Sequence, residues 1–545
     1  MHKTMERIAL IVIGLFFCVL LTGISVPLYS DEIVSKWSVS RFFLEDMKLV
    51  SFFPQCSTMS DRAVSWVFYP AAALISGVYA NLGPLGIRIS GIVFAVIWFG
   101  LLGAWCLQQT DNRTLAIKRL AGLLAFSALG VLPYLLVLSR SEQFMTLPIL
   151  IFCITATQLQ GQKTLPMQSI TALAQVFVLS CFFYVHPKSL FFLPFVLLAL
   201  WLVTKRDHVL IRTGLLIYTL LLFFQVLQES NAIAACQDAP AMQAMLAANT
   251  LLPKMMFSAP VEFFTAATDN LVRFPDRLLT HLTFNPTSQS GWLPPIETSE
   301  AWLVYLNLAV QYLLYSFIVG MHIASLIFFI VKIAKRQLCA PITLAALLAS
   351  ADIFNALFFN IQNFYAATQF LPISLILAAL LMQAQVLPKR CNYLMIGYSS
   401  LLIVAILSML TLLLKVFPAT ISNAAYSQAT LPGQPLSIAV FNVPSHLKSI
   451  EKLGASCGLS TENAKNMVVD HMTYFAYLKV KKPVHVLYVS EYGFGGDLSN
   501  GRLLPFLKKL ESPGLITRCE WMPLKFRDVQ KSDDAGYCCV NLDDL

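Results

Sequence analysis

The sequence predicts a mainly α protein, a polytopic transmembrane helical bundle of about eleven spans followed by a small C-terminal α/β extracytoplasmic domain. Three observations predict it. Hydrophobic residues make up 57% of the 545-residue chain and charged residues only 12%, against roughly a quarter charged in an ordinary globular protein. Apolar runs long enough to cross a ~30 Å hydrocarbon layer recur along the chain. Beyond residue 416 the pattern changes: strand-like runs (LSIAVFNV, VHVLYVSEY, GYCCVNL) alternate with helix-like ones.

The elements follow in chain order. The run at 8–29 follows a basic lead, MHKTMER. It exceeds the roughly 7–15 residues of a signal-peptide core and has no small-x-small cleavage site, so it reads as a retained first span. Within the long segment 30–84, VSWVFYPAAALISGVYANLG (64–83) carries Pro70 and two glycines and reads either as a further span or, in better agreement with the charges, as a helix lying in the membrane interface. The remaining spans are expected at 85–107, 119–138, 144–160, 168–185, 189–204, 210–228, 303–331, 339–357, 368–386 and 393–416. In the tail, STENAKNMVVDHMTYFAYLKV opens on a Ser or Thr cap and continues with apolar residues at helical spacing. The chain thus divides into a transmembrane domain, 1–416, with long outside loops 30–84 and 229–302, and a soluble domain, 417–545.

Charge sets the orientation. With the N-terminus inside, the cytoplasmic segments hold Lys3 and Arg7; Arg113, Lys118 and Arg119; Lys163; Lys205, Arg206 and Arg212; Lys332, Lys335 and Arg336; and Lys389 and Arg390. The short outside turns hold only Arg140 and Lys188, a consistent inside bias. The net charge of +9 therefore reads as orientation, not as nucleic-acid binding. Of 12 cysteines, Cys457, Cys519, Cys538 and Cys539 lie in the exported tail, and Cys56 and Cys236 in outside loops, where disulfides are permitted; spacing leaves their connectivity open. The sequon Asn112-Arg113-Thr114 falls on the cytoplasmic side. There is no Ser–His–Asp arrangement, zinc-binding helix or nucleotide fingerprint, and EYGFGGDLSNGR lacks the Lys-Ser/Thr ending of a phosphate loop.

Charge at the outer membrane face carries the chemistry. Asp31 and Glu32 follow the first span directly, and RFFLEDMK adds Glu45 and Asp46. Such carboxylates serve as a general base, coordinate a cation, or simply cap a helix in water. The turn LSRSEQFMTLP presents Arg140 and Glu142. An Arg there suits a phosphate through its planar fork, or pairs with the Glu to cap two helices. FYVHPKSLFFLP presents His186 and Lys188, suited to a phosphate or sugar hydroxyl, or to the interface alone. Asp352, with Asn355, Asn360, Gln362 and Asn363 nearby, is an acid within a span, where ionisable groups line a pathway or cavity or bond between helices. Arg273, Arg277 and His281 recur at spacings of four, one face of a possible helix that covers a cavity or lies on the surface.

The inward N-terminus, the acidic YSDE opening a long outside loop, the interfacial helix, the SRSEQF and HPKSLFFLP turns and the soluble C-terminal domain together resemble the type-C (GT-C) glycosyltransferase superfamily of integral-membrane, polyprenyl-phosphate-sugar-dependent enzymes. The resemblance covers the layout of the whole chain. It implies a polyprenyl-phosphate sugar donor entering from the lipid and inverting transfer to a cell-envelope glycan or lipid acceptor on the periplasmic face of a bacterial inner membrane, as in lipopolysaccharide or O-antigen modification. It makes Asp31 the base, with Glu32 second, and Arg140, Glu142, His186 and Lys188 the phosphate or sugar contacts. It allows a divalent metal at Asp31 and Glu32, and a donor-synthesising enzyme or flippase in the same pathway. A transporter or flippase of lipid-linked saccharides, an envelope glycan polymerase and an assembly scaffold are the alternatives.

Overall fold

The structure, a computed structural model, describes all residues except 1, 34–82, 162–163, 235–239, 252–254, 285–291, 295–299, 361–365, 387–391, 423–436, 442–443, 461–464, 481–482 and 490–500. The interfacial segment 64–82 and residues Glu45, Asp46, Cys56, Cys236, Gln362 and Asn363 lie outside the described residues. The principal helices are α1 (His2–Thr22), α2 (Gly83–Gln108), α3 (Arg113–Ser127), α4 (Ser141–Gln158), α5 (Leu165–Val185), α6 (Leu193–Thr204), α7 (Val209–Ala234), α8 (Pro260–Leu279), α9 (Ala301–Ala334), α10 (Ala340–Phe358), α11 (Ala367–Gln383), α12 (Asn392–Thr411) and α13 (Pro444–Ser456). Among the described residues, eight helices are long and apolar enough to cross a membrane. The protein is a multi-pass membrane protein.

Each segment expected to span is helical, but three are short or polar for the task. α3 ends at Ser127, because Gly130 takes a left-handed φ of 57° with the Leu282 carbonyl where a Cβ would stand. α4 opens on Ser141, Glu142 and Gln143, and α11 has 17 residues.

The chain forms two compact units. The first comprises Met1–Gly23, Gly91–Phe224 and Thr250–Ala419. At its heart is α10, whose buried Ala345, Ala346, Ala349, Ala351 and Ala356 let neighbouring backbones approach. It packs against α9, α11, α8 and α6. α11 is buried continuously from Ala367 to Leu381, as expected of a helix apolar all round. Asn112, the sequon residue, caps α3 by accepting from the Leu115 N–H at 3.0 Å.

The second unit comprises Ile24–Ser90, Gln225–Asn249 and Thr420–Leu545. Its sheet has the order β2-β1-β3-β5-β4, with β1 (Val468–Val469), β2 (Val484–His485), β3 (Gly514–Arg518), β4 (Lys531–Ser532) and β5 (Tyr537–Asn541). β1 runs parallel to β2 and β3; β5 is antiparallel to β3 and β4. Adjacent cysteines on β5 point to opposite faces because side chains alternate along a strand. Cys539 therefore bonds Cys457, just past the end of α13, on one face, and Cys538 bonds Cys519 on the other. The Cys457–Cys539 bridge closes 82 residues. Cys457→Ser with Cys539→Ser is accordingly expected to cost about 2–5 kcal/mol, measured as a lowered unfolding midpoint of the purified protein.

The segment leaving α1 is part of this unit's core. Leu28 and Ile438 exchange backbone hydrogen bonds of 2.8 Å, and Leu28, Ile33 and Ile87 pack among Ile450, Met467, Val469 and Ile516. His485 Nδ1 accepts the Leu487 N–H, so its Nε2–H donates to His471 Nδ1 at 3.0 Å. The Ser30 backbone hydrogen-bonds His471. Burial, and then the facing His485, hold the His471 pKa well below the usual histidine range. The exit segment, residues 24–33, is thus fixed by backbone pairing, apolar packing and a chain of two neutral imidazoles.

Candidate functional site

Two turns that are separate in sequence meet in the first unit. Arg140 is the extended residue capping the start of α4, and Glu142 lies in its first turn, where the helix dipole favours an acid. The turn is seated closely: a Cβ on Gly91 of α2 would fall on the Val137 carbonyl. His186 ends α5 in extended conformation and begins a 3-10 turn, Pro187–Phe192, that carries Lys188. Proline at the first position of that turn has its φ preset and no N–H to lose.

Three basic side chains converge on one carboxylate. Arg140 Nη2 lies 3.3 Å from Glu142 Oε1, and His186 Nε2 and Lys188 Nζ each lie 3.5 Å from it. Ser141 Oγ donates to Glu142 Oε2 at 3.2 Å. His186 Nδ1 accepts the Lys188 N–H at 3.0 Å, so the proton of the neutral ring sits on Nε2 and points at Glu142. All four side chains are buried. Lys188 Nζ also stands 4.8 Å from the Phe359 ring centroid, just beyond α10. In a water-poor setting such fixed cations act strongly on a phosphate oxyanion, because little solvent screens them. Glu142 orients all three, and its charge offsets part of the cost of burying them.

The acids of the exit segment lie in the second unit. Asp31 is half-buried and Glu32 fully buried. Glu32 forms an ion pair with Arg88: Nη2 to Oε1 at 2.9 Å and Nη1 to Oε2 at 3.1 Å. Glu32 Oε1 also accepts the Tyr29 N–H at 2.9 Å. Arg88 further donates to the Val26 and Pro27 carbonyls at 3.0 and 2.7 Å. With both oxygens on a guanidinium, Glu32 does not fit a metal-ligand role. Among the described residues no group of three His, Cys, Asp or Glu side chains is placed to hold a metal ion. Sequence reasoning passed over Arg88, although a lone arginine inside the apolar run GPLGIRISGIVF signals a buried partner.

The other candidates fall as follows. Asp352 is fully buried on α10, bonded to His322 Nε2 of α9 at 3.0 Å and to Gln369 Nε2 of α11 at 2.7 Å. Neither partner was anticipated, since which faces of the consecutive helices α9, α10 and α11 meet is set by packing rather than by local sequence. Arg273 pairs with Asp269 on the exposed side of α8 at 2.6 Å. Arg277 turns to the Asn360 carbonyl at 2.7 Å and to Asn270 Oδ1 at 3.2 Å. The expected single helical face is shorter than its spacing implied: α8 ends at Leu279 with Thr280 as cap, and His281 lies beyond it. Glu45 and Asp46 lie outside the described residues.

Fold and site define the class as a multi-pass helical membrane protein with a buried cationic cluster and a small disulfide-bonded α/β unit. No protein-family model and no curated protein matches the chain. Among solved structures, the chain is similar to ArnT from Cupriavidus metallidurans bound to undecaprenyl phosphate, at 10% identity over 98% of this chain and 97% of that one, with a TM-score of 0.48. The same protein in the apo state matches at 11% identity, with coverage of 98% and 97% and a TM-score of 0.45. The Archaeoglobus fulgidus oligosaccharyltransferase in complex with Zn and sulfate matches at 10% identity over 97% of this chain and 73% of that one, with a TM-score of 0.40.

Proposed function

We propose that this chain is a GT-C-type membrane glycosyltransferase that moves a sugar from a polyprenyl-phosphate donor to a cell-envelope glycan or lipid on the periplasmic face of the bacterial inner membrane. The observation that carries the reading is the convergence of Arg140, His186 and Lys188 on Glu142. In this reading residues 1–416 are the membrane domain and 417–545 an exported domain, which the tail's two disulfides support.

The chemistry asks for two things. A sugar hydroxyl is a poor nucleophile until a base takes its proton, and a departing lipid phosphate gains negative charge that fixed cations stabilise. We assign the base to Asp31, the position the GT-C resemblance favours, and give Glu32, held by Arg88 through both oxygens, a structural part. The acceptor oxygen attacks the anomeric carbon as its proton passes to the Asp31 carboxylate. The bond from that carbon to the phosphate oxygen breaks, the configuration inverts, and the lipid phosphate leaves as an anion against Arg140 and Lys188. His186, neutral with its proton on Nε2, points that proton at Glu142 and helps hold the carboxylate that orients Arg140 and Lys188.

Mass spectrometry of envelope glycans from a deletion strain and its parent tests the reading. A missing sugar restored by the intact gene is expected; a complete glycan accumulating on the cytoplasmic side would identify a transporter instead.

A further inference from the structure

Beside the cationic cluster the first unit holds a second polar group, set among the helices and with no part in the chemistry above. Asp352 and Asn355 lie three residues apart on α10, and Phe359 follows four residues on, so the three share one side of the chain. Phe359 is the ring against which Lys188 stands, and the turn bearing Lys188 packs on α10. The polar stripe therefore runs from the cationic cluster into the bundle, and Lys188 is within electrostatic reach of Asp352.

The hydrogen bonds divide the group into support and contact. His322 Nδ1 lies 2.8 Å from the Ile318 carbonyl, which only accepts, so that nitrogen carries a proton. His322 Nε2 faces Asp352 Oδ2 at 3.0 Å. The contact needs one proton between them, and the pair is electrically neutral whichever partner holds it. Asp352 Oδ1 accepts from Gln369 Nε2. Both carboxyl oxygens are thereby used, and the pair fixes the Gln369 amide, turning its oxygen away from Asp352.

Asn355 is fully buried, yet neither its amide oxygen nor its nitrogen has a hydrogen-bond partner among the described residues; the same holds for Gln369 Oε1. A buried, unsatisfied amide is costly in a bundle of Ala, Leu and Ile, and each such group in a native protein calls for an explanation. A ligand that arrives with its own hydrogen-bonding groups supplies one. The chemistry selects the ligand. Amides offer a donor and acceptors side by side, which match hydroxyl groups, and the neutral His322–Asp352 pair offers no net cation to an anion. The phosphate belongs with Arg140 and Lys188, and the polyhydroxylated part of the same molecule belongs here.

We propose that Asn355 and the Gln369 carbonyl form a binding subsite for hydroxyl groups of the donor's sugar, with His322 and Asp352 as positioning residues. This rests on the reading of the protein as a lipid-phosphate-sugar transferase.

The test uses purified full-length protein and thermal stabilisation by ligand, from which affinities follow by linkage. The probes are undecaprenyl phosphate and undecaprenyl phosphates carrying glucose, galactose, mannose or N-acetylglucosamine. The unchanged protein is expected to bind at least one sugar-bearing lipid about tenfold more tightly than the bare one, the worth of one to two good hydrogen bonds. Asn355→Leu is expected to abolish that preference and leave affinity for undecaprenyl phosphate unchanged. Without ligand its melting temperature should equal or exceed that of the unchanged protein, because the substitution removes an unsatisfied amide. Asn355→Ala, which removes the amide without adding bulk, runs beside it in case the larger side chain is not accommodated.

A preference retained by both variants, or absent from the unchanged protein, would overturn the subsite. So would a marked loss of unliganded stability in both, which would assign Asn355 a structural bond. Stabilisation by none of the lipid phosphates would overturn the transferase reading itself, and the subsite with it.

Discussion

Asp31→Asn is expected to lower sugar transfer by roughly 10²–10⁴-fold at unchanged abundance and membrane insertion. Asparagine keeps the shape of the side chain and its hydrogen-bonding oxygen but cannot take the acceptor's proton. The fold should tolerate the change: Asp31 is half-buried, and the segment around it is held by Leu28–Ile438 pairing and by packing of Ile33. Asp31→Glu, which retains the base on a longer arm, should lose less. Transfer by Asp31→Asn at the unchanged rate would move the base elsewhere. The rate is read in membranes from a deletion strain supplied with each variant at matched amounts.

The largest effect on stability is expected at Arg88. Its guanidinium makes hydrogen bonds to Val26, Pro27 and both oxygens of Glu32, with neither side chain exposed. Arg88→Met should cost about 3–5 kcal/mol, since it strands a buried carboxylate. The double variant Arg88→Met with Glu32→Leu should recover part of that loss, because no unpaired charge remains. Two carbonyls still lose their donor, so recovery is incomplete. Thermal unfolding of the three proteins checks the order: unchanged protein first, the double variant second, Arg88→Met last. If the double variant is less stable than Arg88→Met, the pair is not the clamp described.

How much of this was legible in the sequence depends on the range of the interaction. The membrane helices were, because span length and hydropathy are local properties; α4 and α11 appear where expected, whereas α3 starts earlier than the span expected at 119–138 and ends at Ser127. The strands of the tail were legible only in part: GYCCVNL holds β5, VHVLYVSEY holds the two residues of β2 before a helical turn at Val486–Val489, and β1 lies inside the segment expected to be helical. Their order was not, since the pairing of β1 with both β2 and β3 is set by contacts far apart in sequence. Arg140 with Glu142, and His186 with Lys188, stood out because each pair occupies one short turn between apolar helices. Their meeting around Glu142 depends on the packing of α4 against α5, which periodicity does not encode. Glu32 looked like half of an acidic pair; its partner is 56 residues away. Helix packing rather than distance hid His322 and Gln369 from Asp352, since α9, α10 and α11 are consecutive; distance hid which cysteines bond.

The central claim is that Arg140, His186 and Lys188 form a seat for a lipid phosphate. Its most direct test is the affinity of the purified protein for undecaprenyl phosphate before and after Lys188→Met, which keeps the length of the side chain and removes its charge. The account predicts that the unchanged protein binds and that the variant binds at least about tenfold more weakly, a loss of about 1.4 kcal/mol. Equal binding by the two proteins would contradict it.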